Sequence, residues 1–165
     1  MSKIRILFYT DDFKTDHWGS ELERNGCEVV PNAKEKLNYF SNILRHARII
    51  LKQFFAGERV HVFVFRYLND NKHLRVTLEY VIRDLLTIIL CKLTNIKILW
   101  ILHNIDKETI VHFPLICKIR RAIVSLVSKR VLVTDPLLMN HALDHGFKKK
   151  KARLDLLRST PKEYA

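Results

Sequence analysis

Turn-forming residues are scarce in this chain, with four glycines and four prolines among 165 residues. Sandwiches and barrels built on many tight turns need more of both, so long regular elements joined by short loops are expected. Cysteine is sparse too. Cys27, Cys91 and Cys117 are odd in number, far apart and set in apolar stretches where a thiol serves as a small buried hydrophobe. Neither a disulfide framework nor a zinc site is implied. Long hydrophobic runs are also missing. The longest, Leu85 to Leu93, falls short of the roughly 20 residues a bilayer-crossing helix needs, and Arg83 and Asp84 interrupt it upstream, so it reads as a core helix. The opening MSKIRILFYT meets Asp11 and Asp12 without the h-region or cleavage site of a signal peptide, which makes the cytoplasm the expected compartment. No Walker loop, G-x-G-x-x-G, H-E-x-x-H or G-x-S-x-G occurs, which removes the usual nucleotide-hydrolase, dehydrogenase, metalloprotease and serine-hydrolase readings. No cofactor or metal is expected.

Apolar and basic residues are what the chain has in quantity. At 48% hydrophobic it can bury the core of one domain without metal or disulfide staples. Twenty-nine Lys and Arg against 17 Asp and Glu give a net charge of +12, so a polyanion or an anionic membrane surface is a plausible neighbour. Nucleic acid is not the expected one. Arg120, Arg121, Lys129 and Arg130 come without interleaved aromatics, zinc-finger spacing or a glycine-bracketed RNA motif.

Periodicity sets the order of elements. Ile4 to Thr10 is a nearly continuous apolar run ending in two aspartates, as in a strand buried on both faces of a parallel sheet. A brief helix around Trp18 to Arg24 and the turn Asn25-Gly26 lead to a strand over Cys27 to Val30. From Ala33 to Phe55 the residues Leu37, Phe40, Leu44, Ala47, Leu51 and Phe54 recur every three or four positions, one helical stripe. Val60 to Phe65 predicts a third strand, Leu74 to Leu93 a second long helix, and Lys97 to Leu102 a fourth strand. Pro114 opens a helix over Leu115 to Ser128, Val131 to Thr134 forms a fifth strand, and Pro136 to His145 a short helix ended by Gly146. This β-α alternation predicts a Rossmann-like α/β fold, a doubly wound parallel sheet of about five strands with helices on both faces.

In such a sheet ligands bind outside the carboxyl ends of the strands, which ranks the polar residues. Three loops qualify. Tyr9 to Asp12, with Asp11 and Asp12, follows the first strand; Arg66 to Asn71 follows the third; His103, Asn104, Asp106 and Glu108 follow the fourth. The last loop carries an imidazole and two carboxylates, the groups from which a general base for a sugar hydroxyl is drawn. The same residues also suit plainer tasks, His103 and Asn104 satisfying loop backbone and Asp106 or Glu108 capping a helix.

The segment Trp100-Ile-Leu-His103-Asn104-Ile-Asp-Lys-Glu108 resembles the W-x-x-H-N-x-x-x-x-E stretch of bacterial glycosyltransferases of the GT-B fold, family-4-like. Supporting similarity runs from KIRILFYT through RVLVTD and covers about residues 1 to 147. The resemblance implies the amino-terminal, acceptor-binding half of a glycosyltransferase, with His103 and Asn104 beside the reacting sugar and Asp106 or Glu108 as base. A nucleotide-sugar donor is then held by a carboxy-terminal domain or partner chain missing from these residues, so the chain is expected to be inactive alone. The expected acceptor is a glycan or lipid-linked sugar. The first-strand loop departs from the family, reading Asp11-Asp12-Phe13-Lys14 where glycines are common. The alternatives are a non-catalytic, membrane-associated subunit of a split glycosyltransferase and a flavodoxin-like ligand-binding domain.

Arg45, Arg48 and Lys52 lie at helical spacing opposite the apolar stripe of the first long helix, a face suited either to an anionic membrane or simply to solvent. Composition changes at Lys148, where four lysines begin a basic tail over residues 148–165 with no β-branched run for a sixth strand. The domain is expected to end near Phe147, with the tail a truncation or a non-native end.

Overall fold

A computed structural model describes residues 3–10, 13–32, 42–66, 68, 70–102, 111–133 and 152–153. Its elements are β1 (Ile4–Phe8), α1 (Phe13–Arg24), β2 (Cys27–Val30), α2 (Arg45–Phe55), β3 (Val62–Phe65), α3 (Leu74–Leu93), β4 (Lys97–Leu102), α4 (Pro114–Val127), β5 (Arg130–Val133) and β6 (Ala152–Arg153). The strands pair in the order β2-β1-β3-β4-β5-β6. Every pairing is parallel, with Leu7 opposite Phe63, Phe65 opposite Trp100 and Leu102 opposite Val133. The expected Rossmann-like α/β fold is therefore the fold observed. The two-residue β6 continues the sheet beyond β5 from within the stretch expected to hold no strand.

The strands form where β-branched and aromatic residues run together, because both faces of the sheet are covered. Alternate residues feed two cores, following the two-residue period of a strand. Leu7, Phe63, Trp100 and Val131 face the larger core with Ile50 of α2, Ile88 and Cys91 of α3, and Val124 of α4. Ile6, Phe8, Val64 and Ile101 face the smaller one with Trp18 and Leu22 of α1. This one-against-three layering follows from right-handed crossovers. β1 to β2 steps one way across the sheet, and the next three connections step the other way, so α1 lies on one face and α2, α3 and α4 on the other.

Helix ends are closed by residues in the left-handed region. Gly57 (φ +74°) follows α2 and Asn95 (φ 54°) follows α3. Glu58 N–H then donates to the Gln53 carbonyl at 2.9 Å and Ile96 N–H to the Cys91 carbonyl at 2.7 Å, the six-to-one bond that turns a helix end toward the next strand.

Two expectations about helix faces are corrected. Leu44 interrupts the long helix and serves as the N-cap of α2, whose buried residues are His46, Ala47 and Ile50. Leu51 and Phe54, expected in the core stripe, are exposed at 37% and 49%. Eleven residues this rich in apolar side chains fit two stripes about a third of a turn apart, and a pattern that counts histidine as polar picks the wrong one. In α3 the run from Leu85 splits likewise: Thr87, Ile88 and Cys91 are buried, whereas Leu85, Ile89 and Leu93 are exposed. Leu37 and Phe40, the helix over 136–145 and Thr134 lie outside the described residues.

The corrected register of α2 has a direct test. Ile50→Ala is expected to cost 2–5 kcal/mol, and Leu51→Ala less than about 1 kcal/mol, both read from urea unfolding. The order reverses if the sequence-derived stripe is the buried one.

Candidate functional site

The strand order reverses between β1 and β3. β2 lies to one side of β1 and everything after β3 lies to the other, which makes the carboxyl ends of β1 and β3 the switch point where open α/β sheets bind ligands. Tyr9 and Thr10 leave β1 there, Asn32 lies just past β2, and Arg66 is the first residue past β3.

Side chains take over the backbone acceptors where the sheet ladder stops, as buried carbonyls require. Tyr9 N–H makes the last rung to the Val64 carbonyl at 2.9 Å. Beyond it the Asn32 amide donates to the Phe8 carbonyl at 2.9 Å, and the Trp100 indole N–H donates to the Arg66 carbonyl at 3.1 Å. His46 Nε2 lies 3.0 Å from the Tyr9 carbonyl and donates to it. The exits of β1 and β3 are thus fixed from both sides. Arg66 is buried at 3% exposure, its guanidinium 4.6 Å from the Trp18 ring centre on the α1 face. Thr10 carries a buried hydroxyl with no hydrogen-bond partner among the described residues.

Beneath the β1 exit, on the three-helix face, lies a buried ionic network. Tyr9 O–H donates to Asp84 Oδ1 at 2.8 Å, while Arg120 donates through Nε and Nη2 to Asp84 Oδ2 at 2.9 and 2.8 Å. Arg83 donates to the Tyr9 hydroxyl oxygen and its guanidinium covers the rings of Tyr9 and Tyr80. Burial pushes the Tyr9 phenol well above its ordinary value, and the Asp84 charge adds to that, so Tyr9 stays protonated and is the donor. Burial also raises the Asp84 carboxyl, against the pull of Arg120 and the Tyr9 hydrogen bond. For Arg120 burial is the largest influence and acts downward, but Asp84, Tyr9 and Cys117 together outweigh it and keep the guanidinium charged. Burial first, and then the Arg83 charge, lowers His46 to about 3, so the ring is neutral with its proton on Nε2. Cys91 is pushed up by burial to about 12 and Cys117 is raised by burial and by Asp70; neither is a thiolate nucleophile.

Chemically the network is a strut. Its carboxylate is saturated and its histidine cannot accept a proton near neutral pH, so it positions β1 against α3 and α4. Sequence reading missed it. Arg120, weighed there for nucleic acid, is 3% exposed and committed to Asp84. The available signal was the presence of Asp84, His46 and Arg120 inside helices, three or four positions from core residues.

Among the residues singled out from the sequence, Arg66 stands at the switch point, one residue past β3. Arg48 and Lys52 are exposed on α2 and Arg45 is half-buried at its first turn. Asp11, Asp12, His103, Asn104, Asp106 and Glu108 lie outside the described residues. No group of three His, Cys, Asp or Glu side chains suited to a metal occurs among the described residues.

No family model matches the chain, and no curated protein does. Among solved structures it is similar to dTDP-4-dehydrorhamnose reductase from Bacillus anthracis, solved in complex with NADP, with a TM-score of 0.52 and 14% identity over 81% of this chain and 52% of that one. The chain thus spans about half the length of that neighbour. At this identity the likeness shows a shared Rossmann-like fold. It also corrects an expectation: the similar structure belongs to an oxidoreductase, not to a glycosyltransferase, and the assignment of this chain as a glycosyltransferase is withdrawn. One parallel sheet serves many enzyme classes, so a short loop motif after β4 does not select among them.

Two outcomes test the strut. Asp84→Ala leaves the Arg120 guanidinium buried without its carboxylate and is expected to cost 3–5 kcal/mol, whereas the paired change Asp84→Leu with Arg120→Met costs clearly less. Urea unfolding of both variants decides it. For His46, the unfolded chain takes up a proton near pH 6.5 and the folded chain near 3. Its contribution is therefore complete above pH 6.5 and lost on acidification, by about 1.4 kcal/mol per pH unit in that window. His46→Gln is expected to flatten the pH dependence of unfolding between pH 6.5 and 4 by that slope.

Proposed function

We propose that this chain is a ligand-binding Rossmann-like domain, with a nucleotide-type small molecule held between the exits of β1 and β3. The observation that carries the reading is the strand order, which puts its reversal between those two strands. Thr10 supplies an unsatisfied hydroxyl at one exit and Arg66 a fixed positive charge at the other. The NADP named for the similar reductase supports this ligand class.

The mode differs from that of a dinucleotide fingerprint. The chain after β1 runs Asp11-Asp12-Phe13-Lys14, without the glycines that let backbone approach a pyrophosphate at a helix N-terminus. Carboxylates at that loop suit the hydroxyls of a ribose or a sugar, which donate to them, and Arg66 suits the anionic end of the same molecule. Such a division of labour favours a mononucleotide or a sugar nucleotide. Binding of the ligand, with no reaction upon it, is the activity inferred.

Thermal unfolding in the presence of ADP, UDP, UDP-glucose, NADP and inorganic phosphate tests the reading. A nucleotide present at about a hundred times its Kd is expected to stabilise the chain by about 2.7 kcal/mol, and phosphate alone much less. Thr10→Val is expected to weaken that nucleotide several-fold, in line with one lost hydrogen bond of about 1 kcal/mol. If no nucleotide moves the transition, the proposal is abandoned.

A further inference from the structure

The three helices that cover one face of the sheet have an outer surface unlike that of a solvated layer. Along α3, Leu74, Leu78, Ile82, Leu85, Ile89 and Leu93 are all exposed, at spacings of four, four, three, four and four. They form a single stripe five turns long. On α4, Leu115, Ile119 and Leu126 are exposed opposite the buried Cys117, Arg120 and Val124, and α2 exposes Phe54 and Phe55. An exposed apolar stripe as long as that of α3 marks an interaction site.

The charges beside it are of one sign. Exposed cations stand on each helix, Arg48 and Lys52 on α2, Lys92 on α3 and Lys118 on α4, while Arg75 of α3 is exposed but pairs with Glu79 at 3.9 Å. The only acids in the three helices, Glu79 and Asp84, are buried. We infer that this layer lies against an anionic lipid surface, its leucines and isoleucines entering the headgroup boundary and its lysines and arginines meeting the lipid phosphates. Charge complementarity selects that occupant. A second copy of the chain would bring two cationic faces together with no exposed helix acid to offset them, at a cost in repulsion. The proposal concerns the helical layer and stands apart from the ligand crevice.

Flotation of the full chain with phosphatidylcholine vesicles, with and without phosphatidylglycerol, tests it. The chain is expected to float with the anionic vesicles alone and to be released by high salt. Lys52→Gln, Lys92→Gln and Lys118→Gln are each expected to lower partitioning roughly fivefold. Arg24→Gln makes the same charge change on the opposite face of the sheet and is expected to leave partitioning within about twofold. Since a net charge of +12 alone draws a protein to anionic surfaces, the deciding variant keeps every charge. Leu78→Ser with Ile89→Ser, at exposed positions where the change is expected to alter thermal unfolding little, is expected to reduce partitioning at least about tenfold. Three results overturn the inference: failure to float with anionic vesicles, flotation that the Leu78 and Ile89 changes leave intact, or a sedimenting dimer that those changes dissolve.

Discussion

One buried carboxylate ties the three-helix face of this domain to its sheet. Asp84 sits in the middle of α3, accepts from Tyr9 at the end of β1 and accepts two bonds from Arg120 in α4. Its partners are 75 and 36 residues away in sequence, so the bond set closes only when the sheet and both helices are assembled. Such an arrangement adds little net stability over a well-packed apolar core, because desolvating the ions costs about what pairing them returns. Its consequence is geometric. The end of β1, where the crevice begins, is held in place from below by a contact that tolerates little displacement.

The same contact explains why the crevice and the network differ in chemistry although Tyr9 belongs to both. Its carbonyl faces His46 and its hydroxyl faces Asp84. Both groups are consumed by structure, and of the other side chains at the strand exits Asn32 is bonded to the Phe8 carbonyl and Arg66 lies over Trp18. The histidine serves as a neutral donor, and its low pKa follows from being sealed near Arg83. Perturbed titration here reports burial in a strut and not an acid or base waiting for substrate.

Regular elements were legible in the sequence wherever periodicity was strong. The bounds Cys27–Val30, Leu74–Leu93 and Lys97–Leu102 are those read from pattern alone, because the Asn25-Gly26 turn marks the start of the first, and a buried strand and a twenty-residue helix leave little ambiguity in the others. Helix faces were less legible. In α2 the buried face includes His46, whose burial depends on a carbonyl of another element, information that no local window contains. The switch point between β1 and β3 follows from strand order, which the alternation of elements does not specify. The pairing within the network was illegible for the same reason, since Tyr9, Asp84 and Arg120 share no spacing, although each polar residue inside an apolar element was a visible sign. Arg66 could be singled out because position at a strand exit is a local property.

The distribution of charge completes the picture. A chain at +12 could spread its cations evenly, and then charge would speak only of solubility and general attraction to polyanions. Here the acids of the three-helix layer are drawn inward, Asp84 to Arg120 and Glu79 to a buried position beside Arg75, while Arg48, Lys52, Lys92 and Lys118 stay outside near exposed leucines and isoleucines. Burying Asp84 therefore has two effects at once: it holds the end of β1, and it removes a negative charge from the outer surface. The strut beneath the crevice and the one-signed face of the layer are consequences of a single placement, which is why neither is visible in the composition from which both are made.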